Sequence, residues 1–183
     1  MEVQGKLTVA QYQQLAKRTC PDIGHQSYNL LHMEMGLYTE AAGELLDCYK
    51  KWLAYGKELD MINISEEIAD CMWYLANEAS MNDYIFDKDY IPNAGTAVYT
   101  GEVSMVIFEI LDFLRRRAGG HFLRYTDMVD HMYRISILAG VDFFQGLENN
   151  IRKLQIRYPE KFTQESALNR NLEEERKELY NIV

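Results

Sequence analysis

Two pairs of acidic residues at helical spacing carry most of the chemistry that the sequence suggests. Glu40 and Glu44 are four residues apart, and Glu67 and Asp70 are three apart. Residues at these spacings share one face of a helix, so each pair would project two carboxylates from one side. Both pairs lie in residues 36–74, whose apolar periodicity is typical of two helices joined by a glycine-bearing connector. An antiparallel hairpin of these helices would bring four carboxylates together.

Such a cluster needs protons or cations, because neighbouring carboxylates repel one another. Mg²⁺ prefers oxygen ligands, usually keeps some of its water molecules and often takes further ligands from substrate phosphates. The sequence therefore predicts a Mg²⁺ site formed by Glu40, Glu44, Glu67 and Asp70. The alternative is that these acids, like the adjacent Glu66, lie on solvated helix faces, which is common for a single pair. Two pairs, each beside an apolar stripe, favour the metal site.

A second polar group lies in the stretch NNIRKLQIRYPEKF, residues 149–162. Lys153 and Arg157 are four apart and Asn150 is about one turn earlier, so an amide and two cations share a face, while Pro159 ends the helix. This combination suits a polyphosphate. A solvated helix face is the alternative.

Composition narrows the class of protein. A chain of 183 residues with 48% hydrophobic content fits a single globular domain over residues 1–183. The formal net charge of −9 argues against nucleic acid as the main partner, although an anionic small substrate can bind through cations. The sequence has neither a membrane-length apolar run nor the apolar core of a signal peptide. We therefore expect a cytoplasmic protein with no membrane partner.

The elements that position these residues are predicted to be helices. A long aperiodic loop is expected over residues 81–97, and loops of this length often act as lids. Capping and stop signals set the helix ends, with Thr8, Ser27 and Ser65 as the expected N-caps. The predicted helices are 8–19, 27–56, 65–80, 100–117, 126–139, one that ends before Pro159, and 171–180.

The two helices after the loop resemble the acidic hairpin. Residues 109–116 align with 44–51, and residues 127–133 align with 67–73 in the same order. If this is an internal duplication, the protein is all-α, with a four-helix bundle core of two helical hairpins and extra N- and C-terminal helices. The alternative is the general similarity of amphipathic helices. Met105 stands where the first hairpin has its first glutamate, so the second hairpin is expected to supply packing and substrate contacts.

Three runs, GLYTEAAGELLDCYKK, EEIADCMWYL and NIRKLQIRYPEKF, resemble the MazG-like all-α nucleoside triphosphate pyrophosphohydrolases, a superfamily that includes the dimeric dUTPases. The resemblance covers most of the chain outside the N-terminus and the loop after Ser80. It implies a helical homo-oligomer, dimer or tetramer, that needs Mg²⁺, with Mn²⁺ as an alternative metal. The implied reaction cleaves a nucleoside triphosphate between its α and β phosphates, which gives the monophosphate and pyrophosphate.

The resemblance also assigns roles to residues. It implies that Glu44, Glu67 and Asp70 bind the metal. The residues predicted to contact the substrate are the polar group Asn150, Lys153 and Arg157, together with the adjacent Tyr158.

One position departs from the family pattern. The family spaces its first two glutamates three apart, whereas here Ala41 falls at the first site and Glu40 comes one residue early. Either Glu40 substitutes from the neighbouring position, through a π-bulge near Gly43, or one ligand is missing.

The expected activity is metal-assisted hydrolysis of a nucleoside triphosphate, in which Glu40 orients or deprotonates the attacking water. A non-catalytic helical protein that retains nucleotide or metal binding is the alternative. The candidates for base recognition, each of which could equally be a core residue, are Trp73, Tyr38, Asn77 and Tyr99.

Overall fold

A computed structural model describes residues 7–119, 123–169 and 171–180, and in these residues all regular structure is helical, which confirms the all-α prediction. The helices are α1 (Val9–Lys17), α2 (Gln26–Tyr38), a π-helical segment (Thr39–Leu45), α3 (Leu46–Tyr55), α4 (Met61–Met81), α5 (Val103–Ala118), α6 (Tyr125–Ala139), α7 (Phe143–Arg157), α8 (Gln164–Leu168) and α9 (Leu172–Tyr180). No helix in the described ranges has the length and apolar character needed to cross a membrane.

Helix α4 lies at the centre of the fold. It contacts α1, α2, the π segment, α6, α7 and α9. Apolar residues such as Ile64, Met72 and Leu75 surround its axis and are fully buried. Glu67 and Asp70 are therefore carried by the element with the most packing partners, which restricts how far their backbone can move.

The helix ends test the capping predictions. Thr8 caps α1 as predicted, because its hydroxyl accepts a hydrogen bond from the Gln11 amide at 3.2 Å. Helix α2 starts at Gln26 and is capped by His25, so the prediction of Ser27 was wrong. Ser65 was also wrong, since Asp60 caps α4 by accepting bonds from the amides of Ile62 and Asn63 at 3.1 Å. In both cases an earlier side chain already accepts the first free amide protons.

The two predicted hairpins are in contact. Helix α5 packs against α6, α6 packs against α4, and α5 touches α3 and the π segment. The four-helix bundle and the internal duplication stay predictions.

The long loop is fixed to α6. Asp130 accepts hydrogen bonds from the hydroxyl of Tyr90 at 2.7 Å and from the amide of Asn93 at 2.8 Å. Arg134 also donates to the carbonyl of Ala94 at 3.3 Å. These contacts hold the loop on the second hairpin, and residues 82–102 do not line the cavity that holds the acidic residues.

Candidate active site

A cavity of about 450 Å³ lies between α2, the π segment, α4 and α7. Its acidic lining consists of Glu40, Glu44, Glu66, Glu67 and Asp70. Its aromatic lining consists of His32, Trp73, Tyr74, Tyr158 and Phe162. Thr19, Pro21, Leu154 and Arg157 complete the described lining. The structure thus brings all four predicted metal ligands to one cavity.

The π segment decides which residue of the first acidic helix faces this cavity. The amide of Leu46 donates to the carbonyl of Ala41, an i→i+5 bond that defines a π turn. The side chain of Ala41 is fully buried, whereas Glu40 and Glu44 both line the cavity. A π turn holds more than four residues, so residues four apart lie almost in line. The π turn that the sequence suggested near Gly43 is therefore present, whereas metal binding by Glu40 stays a prediction.

Close packing of α2 on α4 shapes the wall beside the acids. A methyl group at Gly36 would lie 2.0 Å from Cε1 of Tyr74, so only glycine allows this approach. The Tyr74 ring meets Trp73 edge-on, with ring centroids 4.9 Å apart. The Trp73 indole donates to the hydroxyl of Thr19 at 3.0 Å. Both rings line the cavity.

Glu40 and Glu67 form the electrostatically costly part of the site. Burial, followed by the charges of Asp70 and Glu40, raises the pKa of Glu67 to about 9. Burial, followed by the charge of Asp70, raises the pKa of Glu40 to about 7, while a hydrogen bond with Glu67 opposes this shift. The two carboxyl groups are thus close enough to share a proton, and near neutral pH Glu67 is protonated.

Asp70 is neutralised by the protein itself. Nζ of Lys153 lies 2.8 Å from both carboxylate oxygens of Asp70 and 3.0 Å from Oε1 of Glu66. Burial would lower the pKa of Lys153, but the charges of Asp70 and Glu66 outweigh it and the net shift is upward. The amide nitrogen of Asn150 donates to Oδ1 of Asp70 at 2.5 Å.

The four residues predicted to contact substrate divide into two groups. Arg157 and Tyr158 line the cavity. Asn150 and Lys153 are 1% and 2% exposed, do not line it and contact Asp70 from within the fold. A direct phosphate contact by Asn150 or Lys153 stays a prediction, whereas their contact with Asp70 is present.

Glu109 of the second hairpin contacts a histidine and an arginine. Oε1 of Glu109 lies 2.5 Å from Nδ1 of His131 and 2.7 Å from Nη1 of Arg134. Burial opposes the resulting shift, but the contacts with these two residues lower the pKa of Glu109 overall. In the sequence alignment these partners fall on Cys71 (131 − 60 = 71) and Tyr74 (134 − 60 = 74) of the first hairpin. The second hairpin thus supplies Glu109 with a cationic partner, Arg134.

The described residues contain no group of three or more His, Cys, Asp or Glu side chains arranged to hold a metal ion. The donor types nevertheless fit Mg²⁺, since all four predicted ligands offer carboxylate oxygens to one cavity. Burial, followed by neighbouring carboxylates, raises the pKa values of Glu40 and Glu67, so this pair holds a proton in the metal-free protein. A cation would replace the proton that this pair holds.

Sequence reasoning did not select several residues of the site. Glu66 was expected to be solvated but pairs with Lys153, and no sequence signal marked His32 or Phe162. Gly36 is costly within a helix, and such a glycine indicates close packing, which the structure shows to be against Tyr74. Of the base-recognition candidates, Trp73 lines the cavity, whereas Tyr38, Asn77 and Tyr99 do not.

Comparison with known proteins gave no significant match of this chain to a protein-family model, a curated protein or a solved structure.

Proposed function

We propose that this protein is a Mg²⁺-dependent nucleoside triphosphate pyrophosphohydrolase of the MazG-like type. The observation that carries the proposal is the convergence of Glu40, Glu44, Glu67 and Asp70 on one cavity of about 450 Å³. A volume of this order is typical of small-molecule sites. The three sequence runs that resemble the superfamily contribute most of the residues that line this cavity, all except Thr19, Pro21 and His32.

Glu40, Glu44, Glu67 and Asp70 would hold the metal. Mg²⁺ supplies charge neutralisation of the phosphates and activation of a water molecule when it is bound. We assign to Glu40 the role of accepting a proton from the attacking water, because a carboxylate that lines the cavity can act as a general base. The water oxygen forms a bond to the α-phosphorus, the bond from that phosphorus to the bridging oxygen breaks, and pyrophosphate leaves with the electron pair.

The remaining residues bind and orient the substrate. Arg157 carries a guanidinium at the cavity, and this group forms paired hydrogen bonds with phosphate oxygens. The rings of Trp73, Tyr74 and Tyr158 offer apolar surface to a nucleobase. The indole N–H of Trp73 already donates to Thr19, so this residue contributes ring surface in place of a hydrogen bond.

A second candidate function has its own observation. Lys153 contacts both oxygens of Asp70, and Glu175 binds the guanidinium of Arg157, so the protein satisfies two of the charges that a metal and a phosphate would use. Such self-pairing would suit a helical protein that binds nucleotide without hydrolysing it.

Pyrophosphate release decides between the two functions. The common ribo- and deoxyribonucleoside triphosphates are incubated with the protein with and without Mg²⁺, and monophosphate and pyrophosphate are quantified. The enzyme predicts Mg²⁺-dependent release that is lost in Glu67→Gln and kept in Glu58→Gln, a matched change at an exposed glutamate outside the cavity. Nucleotide binding without release supports the second candidate. The absence of both binding and release contradicts both functions.

A further inference from the structure

Tyr12, on the N-terminal helix α1, contacts Asn150, the residue that supports Asp70 from outside the cavity. The side chain is fully buried. Its hydroxyl lies 2.9 Å from Oδ1 of Asn150 and 3.1 Å from the carbonyl oxygen of Ala69, the residue before Asp70. Asn150 in turn donates to Asp70 at 2.5 Å. Tyr12, Asn150 and Asp70 therefore form a continuous chain of hydrogen bonds that links three helices.

The chain of bonds fixes which way the Asn150 amide points. An asparagine side chain has an accepting oxygen and a donating NH₂ group, and a tyrosine hydroxyl has one proton to donate. Two acceptors lie within reach of that proton, and the shorter distance, 2.9 Å to Oδ1 against 3.1 Å to the Ala69 carbonyl, favours Oδ1. With Oδ1 accepting from the hydroxyl, the NH₂ group is turned toward the carboxylate of Asp70. The opposite orientation would place the amide oxygen against that carboxylate, where two acceptors repel. The hydroxyl thus favours the one orientation in which Asn150 donates.

We propose that Tyr12 is a positioning residue for Asp70, acting through Asn150 to hold the carboxylate in place for a divalent cation. The inference rests on the proposed function, since it assumes that Asp70 binds Mg²⁺. The Asp70 side chain is 27% exposed, and a carboxylate at an open cavity samples several orientations unless its neighbours restrict it. Lys153 contacts both oxygens of this carboxylate, and the Asn150 amide holds Oδ1 from a second direction. Groups that hydrogen-bond a metal ligand from behind typically contribute 10- to 100-fold to metal affinity.

The first test measures Mg²⁺ binding without nucleotide. Tyr12→Phe removes one oxygen atom and keeps the ring, and titration calorimetry should show about tenfold weaker Mg²⁺ binding. In turnover assays the same variant should need more Mg²⁺ for half-maximal rate, while kcat at saturating Mg²⁺ stays within a few-fold of wild type. Tyr49→Phe is the matched control, because Tyr49 is equally buried and does not line the cavity. It should bind Mg²⁺ like wild type.

A double-mutant cycle tests the route through Asn150. Asn150→Ala alone should weaken Mg²⁺ binding at least as much as Tyr12→Phe, and adding Tyr12→Phe to it should cause no further loss. Losses that add in the double variant would overturn the inference. So would a Tyr12→Phe variant that binds Mg²⁺ like wild type and has only a lower Tm. If the wild type binds no Mg²⁺ and releases no pyrophosphate, the proposed function fails and the inference fails with it. If the wild type is active and the variants bind Mg²⁺ as tightly as it does, the inference fails while the proposed function stands.

Discussion

The guanidinium of Arg157 donates hydrogen bonds to both carboxylate oxygens of Glu175, at 3.0 Å from Nε and 2.5 Å from Nη2. Glu175 lies on α9, where it is 3% exposed, and Arg157 lines the cavity. A carboxylate and a phosphate offer guanidinium a similar pair of oxygens. A phosphate that binds Arg157 therefore competes with Glu175, which links occupancy of the cavity to the packing of the C-terminal helix.

Glu175→Gln should strengthen substrate binding. The glutamine keeps the shape of the side chain but lacks the charge that holds the guanidinium, so we expect KM for the nucleoside triphosphate to fall about threefold to tenfold with little change in kcat. A tenfold change corresponds to about 1.4 kcal/mol. Steady-state kinetics measure it, with Glu173→Gln as the control because that glutamate is largely exposed and pairs with Lys177. A higher KM in Glu175→Gln would show that Glu175 orients Arg157 for the substrate.

Glu67→Gln and Asp70→Asn should both nearly abolish turnover but differ in stability. Glu67 is protonated near neutral pH, so a glutamine imitates its metal-free state and should leave Tm unchanged or higher. Asp70→Asn removes a charge from Lys153, which is 2% exposed, and breaking a buried pair typically costs on the order of 3 kcal/mol. Glu66 still contacts Lys153 and should soften the loss. Thermal melts in EDTA measure the difference, and equal Tm values would contradict the pairing of Asp70 with Lys153.

The helices could largely be predicted from sequence, because apolar periodicity and stop signals such as Gly56 are local. Gly56 ends α3 with a φ of +64°, near the predicted position. The convergence of the acidic pairs was also predictable, since two adjacent helices of a hairpin must pack through their apolar stripes. The pairing of Asp70 with Lys153 was not, because it joins residues 83 positions apart and depends on how α7 packs against α4. No local pattern specifies which cation reaches which acid.

Metal-free stability should fall as pH rises. The folded-state pKa values of Glu40 and Glu67 lie above the ordinary value of 4.5, at about 7 and about 9, so the folded protein holds protons that the unfolded chain has released. The stabilisation from these groups is complete below about pH 4.5 and is lost as pH rises through 7 to 9. Tm in EDTA should therefore be lower at pH 8.5 than at pH 6, because these two conditions, about 2.5 pH units apart, span much of the range over which the stabilisation is lost.

Two controls identify the source of this pH dependence. Glu67→Gln is neutral at every pH, so its Tm should fall less between the two conditions than that of Glu58→Gln, which leaves the cavity acids intact. Mg²⁺ should raise the wild-type Tm more at pH 8.5 than at pH 6, because it binds the deprotonated acids. If the change in Tm between the two conditions is the same in Glu67→Gln and Glu58→Gln, Glu67 is not the source of the pH dependence.

Glu40 and Glu109 provide the sharpest comparison between the two hairpins. Glu40 lines the cavity without a cationic partner of its own among the described contacts, whereas Glu109 contacts His131 and Arg134. Glu40→Gln should cost at least about tenfold in kcat, equivalent to about 1.4 kcal/mol in the barrier, because a neutral amide cannot accept the proton of the attacking water. Substrate binding with Mg²⁺ should survive better than turnover. Glu109→Gln should keep its rate and lose about 1–3 kcal/mol of stability, because the buried His131 and the partly exposed Arg134 lose a charged acceptor.

Measuring both quantities on both variants separates a catalytic role from a structural one. Single-turnover kinetics at saturating Mg²⁺ give the rate, and denaturant melts give the free energy of unfolding. The site in the first hairpin requires a rate loss in Glu40→Gln and a stability loss in Glu109→Gln. Equal, small rate losses would show that neither glutamate takes part in the reaction. A rate loss confined to Glu109→Gln would place the active site in the second hairpin, where His131 and Arg134 would then activate Glu109 instead of neutralising it.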